Sequence, residues 1–215
     1  SEVVERGRQG LAVPTDVMDD DALDRLIDTT VDELGRVDVL VNNAGGAPPP
    51  AAMDTSRRMI ERAFAFNAVA PLLLSQRAAR AMVDTAGEGV ILNVSSRSSS
   101  QVVPGFTAYG AAKAALERIT VGLAAEWAPR VRVNAIAVGS VATRALDTVL
   151  TDDALRTTME EGTPMGRIGE PDDIAAAALW LCSPAGSWVT GKVVEVDGGA
   201  VTAALHLPVP PLEPT

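Results

Sequence analysis

Residues 37–46 read Val-Asp-Val-Leu-Val-Asn-Asn-Ala-Gly-Gly. Their first half predicts a short strand over 37–41 that is covered on both faces, because its apolar side chains do not alternate strictly with polar ones. The small residues Ala44 and Gly45 would let a flat ligand approach the backbone closely after this strand. Open α/β sheets bind ligands at the carboxyl ends of their strands, so this turn is a candidate binding site. An ordinary turn is the other interpretation.

Further apolar runs predict strands, and the amphipathic segments between them predict helices. The predicted strands are 10–14, 90–94, 131–137 and 193–196. Long helices are predicted over about 56–82, 109–127 and 171–181, and another helix is predicted to end at Gly35. Short helices are predicted within 139–163, and residues 1–8 read as the end of a helix. Strands alternating with helices predict an α/β fold of the Rossmann type, a doubly wound parallel sheet. We expect a single domain over 1–204, followed by a loosely ordered proline-rich tail, 205–215.

Composition excludes several kinds of protein. A net charge of −10 argues against nucleic-acid and anionic-membrane partners, which require a basic face. No apolar run approaches the roughly 20 residues of a membrane span, and no signal peptide opens the sequence. Cys182 is the sole cysteine, which fits a reducing cytoplasm, and the sole histidine, His206, excludes a histidine-based triad or a multi-histidine metal site.

Tyr109 is the sole tyrosine, and Lys113, one of two lysines, follows four residues later. A four-residue step places both side chains on one face of a helix. Lowering the pKa of a phenol from about 10 to near neutrality requires about 4 kcal/mol. One cation at about 4 Å supplies roughly that much at an effective dielectric constant of about 20. The pair could therefore transfer protons, although a packed ring beside a solvated amine would have the same spacing.

Two more residues stand out by position. Ser96 follows the predicted strand 90–94 and precedes Tyr109 by thirteen residues. Asn67 lies within a predicted helix, four residues before Pro71. Because proline has no N–H, the Asn67 carbonyl loses its usual helical donor and must bond elsewhere, typically to water. Taken singly, a loop serine and a proline-kinked helix explain both observations.

Together these features resemble the short-chain dehydrogenase/reductase family over nearly the whole chain. The resemblance is carried by Asp16-Val17, the turn 42–45, Asn67, Ser96, Tyr109 with Lys113, residues 132–136 and residues 196–199.

The resemblance implies a function and a role for each of these residues. Tyr109 would be the general acid/base, Ser96 would hydrogen-bond the substrate oxygen, Lys113 would hold the nicotinamide ribose and lower the pKa of Tyr109, and Asn67 would order a water. The cofactor would be NAD or NADP, and the substrate a small-molecule alcohol or ketone. The implied cofactor-binding residues are Asp16, Val17, Asn43, Ala44, Gly45, Tyr109, Lys113, Val141 and Thr143.

The sequence departs from the family pattern in two places. Val138-Gly139 stands where the family usually has Pro-Gly, which would loosen that turn. The family begins with a strand and a glycine-rich turn that binds the pyrophosphate, and the sequence before residue 10 contains neither. We therefore expect an N-terminally truncated fold that lacks the first βαβ unit, with two strand positions empty between 10–14 and 37–41. Such a chain should bind dinucleotide poorly.

Residues 139–146 and 181–191 resemble the bacterial 7α-hydroxysteroid dehydrogenase branch, which favours a steroid-like or alicyclic substrate. The alternative is a 3-oxoacyl-carrier-protein reductase, although a chain at −10 offers little basic surface for an acidic carrier. A third possibility is a catalytically silent nucleotide-binding or structural protein; such proteins typically lose the catalytic tyrosine or lysine, and this chain keeps both. Helices 56–82 and 109–127 resemble those that form the family's tetramer interface, so we expect a homotetramer when the chain is intact.

Overall fold

The computed structural model describes residues 2–143, 146, 151–204 and 209–210. Its sheet has four parallel strands in the order of the chain: β1 (Val39–Asn42), β2 (Gly89–Ser96), β3 (Val131–Val138) and β4 (Val193–Val196). All neighbouring pairs are parallel, so the carboxyl ends of the strands meet at one edge. This arrangement confirms the predicted Rossmann-type α/β fold.

Helices cover the sheet. They are α1 (Glu2–Glu5), α2 (Asp20–Leu34), α3 (Arg57–Phe64), α4 (Ala70–Ala86), α5 (Thr107–Trp127), α6 (Asp153–Glu161) and α7 (Pro171–Cys182). Short 3₁₀ turns lie at Ala52–Asp54, Arg97–Ser99 and Pro184–Gly186. The side chain of Asp19 accepts from two backbone N–H groups at the start of α2, and Gly35 ends that helix at φ 85°, where an L side chain would be strained.

Two apolar layers lie on opposite faces of the sheet. Ile91 and Leu92 are neighbours in β2, are both fully buried, and point to opposite faces because strand side chains alternate. Ile91 packs in the larger cluster, with residues of α2, α4 and α5. Leu92 packs in the smaller cluster, with Leu181 of α7. Burial on both faces is what the apolar strands in the sequence indicated.

The predicted strand over 10–14 is wrong. These residues have no regular structure, and Leu11 is 42% exposed. A strand needs a neighbour for its backbone N–H and C=O groups, and no described strand pairs with this segment. The sheet instead ends at β1, where Val39 and Val41 remain 43% and 46% exposed.

The predicted helix over 56–82 is interrupted. The chain forms α3, then a π-helical segment, Ala65–Val69, and then α4, which continues to Ala86. Pro71 explains the change, because it cannot donate the regular helical hydrogen bond and the preceding turn widens.

Most other boundaries of helices and strands differ from the predicted ones by one or two residues. The greater part of the proline-rich tail, 205–208 and 211–215, lies outside the described residues, so its loose order stays a prediction, as does the division at residue 204.

No helix among the described residues is both long enough and apolar enough to cross a membrane.

Candidate active site

Tyr109 and Lys113 lie on one face of α5, beside the carboxyl end of β2. The ammonium of Lys113 is 5.8 Å from the centroid of the Tyr109 ring and donates to the Val94 carbonyl at 2.7 Å. Lys113 is only 3% exposed. Its burial lowers the pKa of the ammonium to about 8, and the nearby charge of Glu117 opposes that shift. The structure therefore brings the phenol and the amine together, as the four-residue spacing predicted.

Ser96 completes this group at the end of β2. Its hydroxyl interacts with the phenol of Tyr109 closely enough to lower the pKa of that phenol. Ser96 Oγ also accepts from the backbone N–H of Ser98 at 3.2 Å, which fixes the serine at the start of the loop. Three of the predicted catalytic residues, Ser96, Tyr109 and Lys113, thus lie at the carboxyl end of β2.

The pKa of Tyr109 is raised, not lowered. Burial of the ring disfavours the phenolate and is the larger cause, while the hydrogen bond with Ser96 acts in the opposite direction. Lys113 is not among the causes of this shift, so its lowering of the Tyr109 pKa stays a prediction. The ammonium of Lys113 is directed at the Val94 carbonyl, and the phenol remains protonated at neutral pH. Tyr109 is held in the form that donates a proton.

Asn67 holds the turn after β1. Its side chain is fully buried; the oxygen accepts from the Gly46 N–H at 2.8 Å, and the amide donates to the carbonyls of Gly46 at 3.0 Å and Ala63 at 2.9 Å. A Cβ on Gly45 would lie 2.9 Å from Lys113 Nζ and 3.0 Å from Asn67 Oδ1. A side chain at position 45 would therefore displace the Lys113 ammonium or the Asn67 amide. The role of the Asn67 main-chain carbonyl stays a prediction.

A buried polar network, which the sequence analysis missed, ties the strand ends to the helices. Asn42 Nδ2 lies 2.8 Å from Asn93 Oδ1 and 3.0 Å from Ser75 Oγ. Asn93 in turn donates to Thr120 Oγ1 at 2.8 Å. All four side chains are buried. Asparagines inside apolar strands were the available signal, because a buried amide must find partners.

The loop after Ser96 is held from two sides, and neither contact was predicted. On one side, Glu117 accepts from the hydroxyls of Ser95 and Ser99. On the other side, Arg97 pairs with Glu195, and its Nε lies 2.8 Å from Asp197 Oδ2. The Nε contact is an ion pair without hydrogen-bond geometry. Both acidic partners on this second side belong to the end of β4 or the residue after it.

The remaining predicted cofactor residues lie in three other segments of the chain. Asn43 and Ala44 are exposed in the turn after β1. Asp16 is exposed and accepts from the Met18 N–H at 2.9 Å, and Val17 packs against the larger apolar cluster. Val141 is buried and bridges Gly169, and Thr143 is exposed. These last four residues belong to the segments before α2 and after β3.

Comparison with known proteins places the chain in a family. A family model described as "Enoyl-(Acyl carrier protein) reductase" matches residues 1–201. An uncharacterized oxidoreductase of Mycobacterium tuberculosis is 44% identical over 206 residues, which are 96% of this chain and 78% of that protein. The 7α-hydroxysteroid dehydrogenase of Escherichia coli K12 is 38% identical over 201 residues, 93% of this chain and 78% of that protein.

A solved structure is similar over the same range. It is a 7α-hydroxysteroid dehydrogenase complexed with NADH and 7-oxo glycochenodeoxycholic acid, with a TM-score of 0.89 and 37% identity. The similarity covers 95% of this chain and 79% of that one. Fold and relatives together define an NAD(P)-dependent oxidoreductase. The chain belongs to the short-chain dehydrogenase/reductase family.

The residues present fit the sugar end of such a cofactor. Within the described part of the chain, Lys113 Nζ has one hydrogen-bond acceptor, so two of its three donors are left for ribose hydroxyls. Gly45 has no side chain above this ammonium, which keeps the backbone of the turn close to it.

Proposed function

We propose that this protein interconverts a secondary alcohol and a ketone by NAD(P)-dependent hydride transfer, with Tyr109 as the proton donor and acceptor. The observation that carries the proposal is the position of the buried Lys113 ammonium, 5.8 Å from the centroid of the Tyr109 ring, at the end of the strand that carries Ser96. Membership in an oxidoreductase family supports the same reaction. The cofactor supplies the hydride chemistry.

In the reducing direction, the protonated phenol of Tyr109 donates its proton to the carbonyl oxygen of the substrate. Ser96 donates a hydrogen bond to the same oxygen and stabilises the negative charge that develops there. In the oxidising direction the phenolate is needed, so the raised pKa of Tyr109 must fall when cofactor and substrate bind. Both residues thus act on one atom.

Lys113 and Asn67 prepare the site for the cofactor. We assign Lys113 to the ribose hydroxyls and Asn67 to the turn that faces them, because Asn67 fixes Gly46 through two hydrogen bonds. The remaining cofactor contacts would come from Asp16, Val17, Asn43, Ala44, Gly45, Val141 and Thr143. These assignments rest on the family resemblance and on the position of each residue near the site or in the segments that flank it.

The proposed substrate is a steroid-like or alicyclic ketone or alcohol. An apolar cavity lined by Ala47, Pro48, Met59 and Phe66 lies next to Ala108, the residue before Tyr109. Such walls suit an apolar ring system. The similarity to 7α-hydroxysteroid dehydrogenases supports the same substrate class. A 3-oxoacyl thioester remains the alternative substrate.

We also propose a homotetramer in the cytoplasm. The helix faces assigned to the tetramer interface are partly core, since Leu116 and Leu123 are buried within the chain. Exposed apolar side chains on α7 and after it support an oligomer better. Leu179 and Trp180 on α7 are 72% and 42% exposed, and Trp188 after it is 99% exposed. An apolar patch of this kind on a protein surface marks an interaction site.

The test is NADH and NADPH oxidation by the purified protein with a panel of ketones, at cofactor concentrations raised to offset the weak dinucleotide binding that the sequence predicts. We expect turnover with 7-oxo bile acids and bulky alicyclic ketones, and little with 3-oxoacyl thioesters. Ser96→Ala should lower kcat by about 100-fold, the usual effect of losing one such donor. Ser100→Ala is the control and should leave kcat unchanged. The reason is that Ser100 is exposed and its side-chain hydrogen bonds within the described part of the chain stay in its own loop. Turnover of thioesters alone would favour the reductase alternative. Cofactor binding without turnover of any ketone would overturn the proposal.

A further inference from the structure

Glu117 continues the line of side chains that begins with Tyr109 and Lys113. The three residues follow one another at four-residue steps on α5, so they share one face of the helix. Glu117 is partly buried on this face. The proposed reaction uses the first two residues and leaves the third without a role.

The carboxylate of Glu117 accepts hydrogen bonds from Ser95 and Ser99, which stand on either side of Ser96 in the sequence. Its Oε1 accepts from Ser95 Oγ at 2.6 Å and from Ser99 Oγ at 2.6 Å. Ser95 is 3% exposed and directly precedes Ser96, whereas Ser99 closes the 3₁₀ turn that follows it. Hydrogen bonds to an ionised carboxylate are short and strong. A single oxygen thus fastens the residues before and after Ser96 to α5.

We propose that Glu117 is a positioning residue, whose carboxylate holds the loop that carries Ser96 against the helix that carries Tyr109 and Lys113. This inference rests on the proposed function, because it concerns the distance between Ser96 and Tyr109 in that reaction. The anchor spans 22 residues of sequence at Ser95 and 18 at Ser99, so helix geometry alone does not provide it.

The charge of Glu117 has a second effect on the same site. Burial lowers the pKa of Lys113 to about 8, and the negative charge of Glu117 counteracts part of that shift. Among the residues that the structure describes, Tyr109 on the same helix is the other titratable group placed against Lys113. From the loop, Arg97 is directed away to Asp197 and Glu195, so it does not compete for Glu117. Glu117 therefore helps to keep Lys113 protonated while holding the serine loop.

Two substitutions separate these effects. Glu117→Gln keeps an oxygen that can accept from both serines but removes the charge, whereas Glu117→Ala removes both. Glu126, exposed on the same helix, gives the matched controls Glu126→Gln and Glu126→Ala. We expect Glu117→Ala to lower kcat by on the order of 10- to 100-fold, because small misplacements of reacting groups have such effects. Its KM for NADH should change far less.

The pH profile gives a readout that a merely structural residue would not move. Without the charge of Glu117, the pKa of Lys113 falls further below about 8. The protonated amine is then lost at lower pH, so the alkaline limb of the kcat/KM profile should move to lower pH in Glu117→Gln. The profile of Glu126→Gln should coincide with that of the wild type.

Two measurements need no turnover and keep this inference separable from the proposed function. With isotope-labelled lysine, NMR sees only Lys113 and Lys192, and Lys192→Arg assigns the signals. The Lys113 titration should move to lower pH in Glu117→Gln. Amide hydrogen exchange in residues 96–101 should accelerate in Glu117→Ala. Both changes in a protein that reduces no ketone would support the anchor and refute the reaction. Neither change, in an active protein, would overturn the role of Glu117.

Discussion

Phenylalanine at position 109 is expected to lower kcat for ketone reduction by about 10²- to 10⁴-fold, the contribution typical of a positioned acid or base. The substitution removes only the phenolic oxygen, which interacts with Ser96 and is the proposed source of the proton. The ring keeps its edge-to-face contact with Phe106, 5.7 Å between centroids. Lys113 keeps its bond to the Val94 carbonyl, so cofactor affinity should change little.

The measurement is the rate of NADH oxidation at saturating ketone, together with NADH affinity by fluorescence. Phe106→Leu is the control, because it removes the ring contact and retains the phenol. We expect that variant to keep kcat within a few-fold of the wild type. If Tyr109→Phe retained more than about a tenth of the wild-type kcat, the proton would have to come from another group, and the acid/base role of Tyr109 would be lost.

Alanine at position 110 should destabilise the fold and disturb the site together. A Cβ on Gly110 would stand 2.4 Å from the carbonyl oxygen of Ser98, well inside van der Waals contact. Because that oxygen is backbone, α5 and the serine loop must move apart. Overpacking of this kind costs about 1–3 kcal/mol. Since Ser96 belongs to the displaced segment and Tyr109 precedes Gly110, kcat should fall as well.

Gly122 on the same helix is the matched control. A Cβ there meets no atom within 4 Å. Glycine within a helix is destabilising by about 0.5–1 kcal/mol relative to alanine, so Gly122→Ala should raise the free energy of unfolding by about that amount. Urea unfolding of both variants checks the prediction. If Gly110→Ala and Gly122→Ala changed the free energy of unfolding by equal amounts in the same direction, the contact between Gly110 and Ser98 would not be tight.

The sequence predicted the parts of this molecule that depend on local geometry. The pairing of Tyr109 with Lys113 follows from the helical repeat, and all four paired strands lie within two residues of their predicted bounds. The prediction of a strand over 10–14 was wrong, because an apolar run becomes a strand only when a neighbouring strand accepts its hydrogen bonds. Strand formation is decided by residues far away in the chain, which periodicity does not reveal.

The electrostatics of the site were less predictable from the sequence. The spacing of Tyr109 and Lys113 suggested a lowered tyrosine pKa, but burial of the ring outweighs the influences that favour the phenolate. The direction of the Lys113 ammonium is set by the Val94 carbonyl, nineteen residues earlier. The bonds from Glu117 to the serine loop are equally non-local. Helical spacing fixes which side chains are neighbours, whereas the protein around them fixes their charge.

The sole tyrosine allows a direct test of the acid/base assignment. Tyrosinate absorbs differently from tyrosine in the ultraviolet, so a pH titration of the folded protein reports Tyr109 alone. We predict that Tyr109 titrates above its ordinary value of 10.0 in the free protein. Saturation with NAD⁺ should then lower its pKa, because a positive nicotinamide nearby favours the phenolate. A transition at or below 10.0 in the free protein would contradict the raised pKa alone. A transition that NAD⁺ leaves unmoved would contradict the proposal that Tyr109 exchanges the proton beside the cofactor.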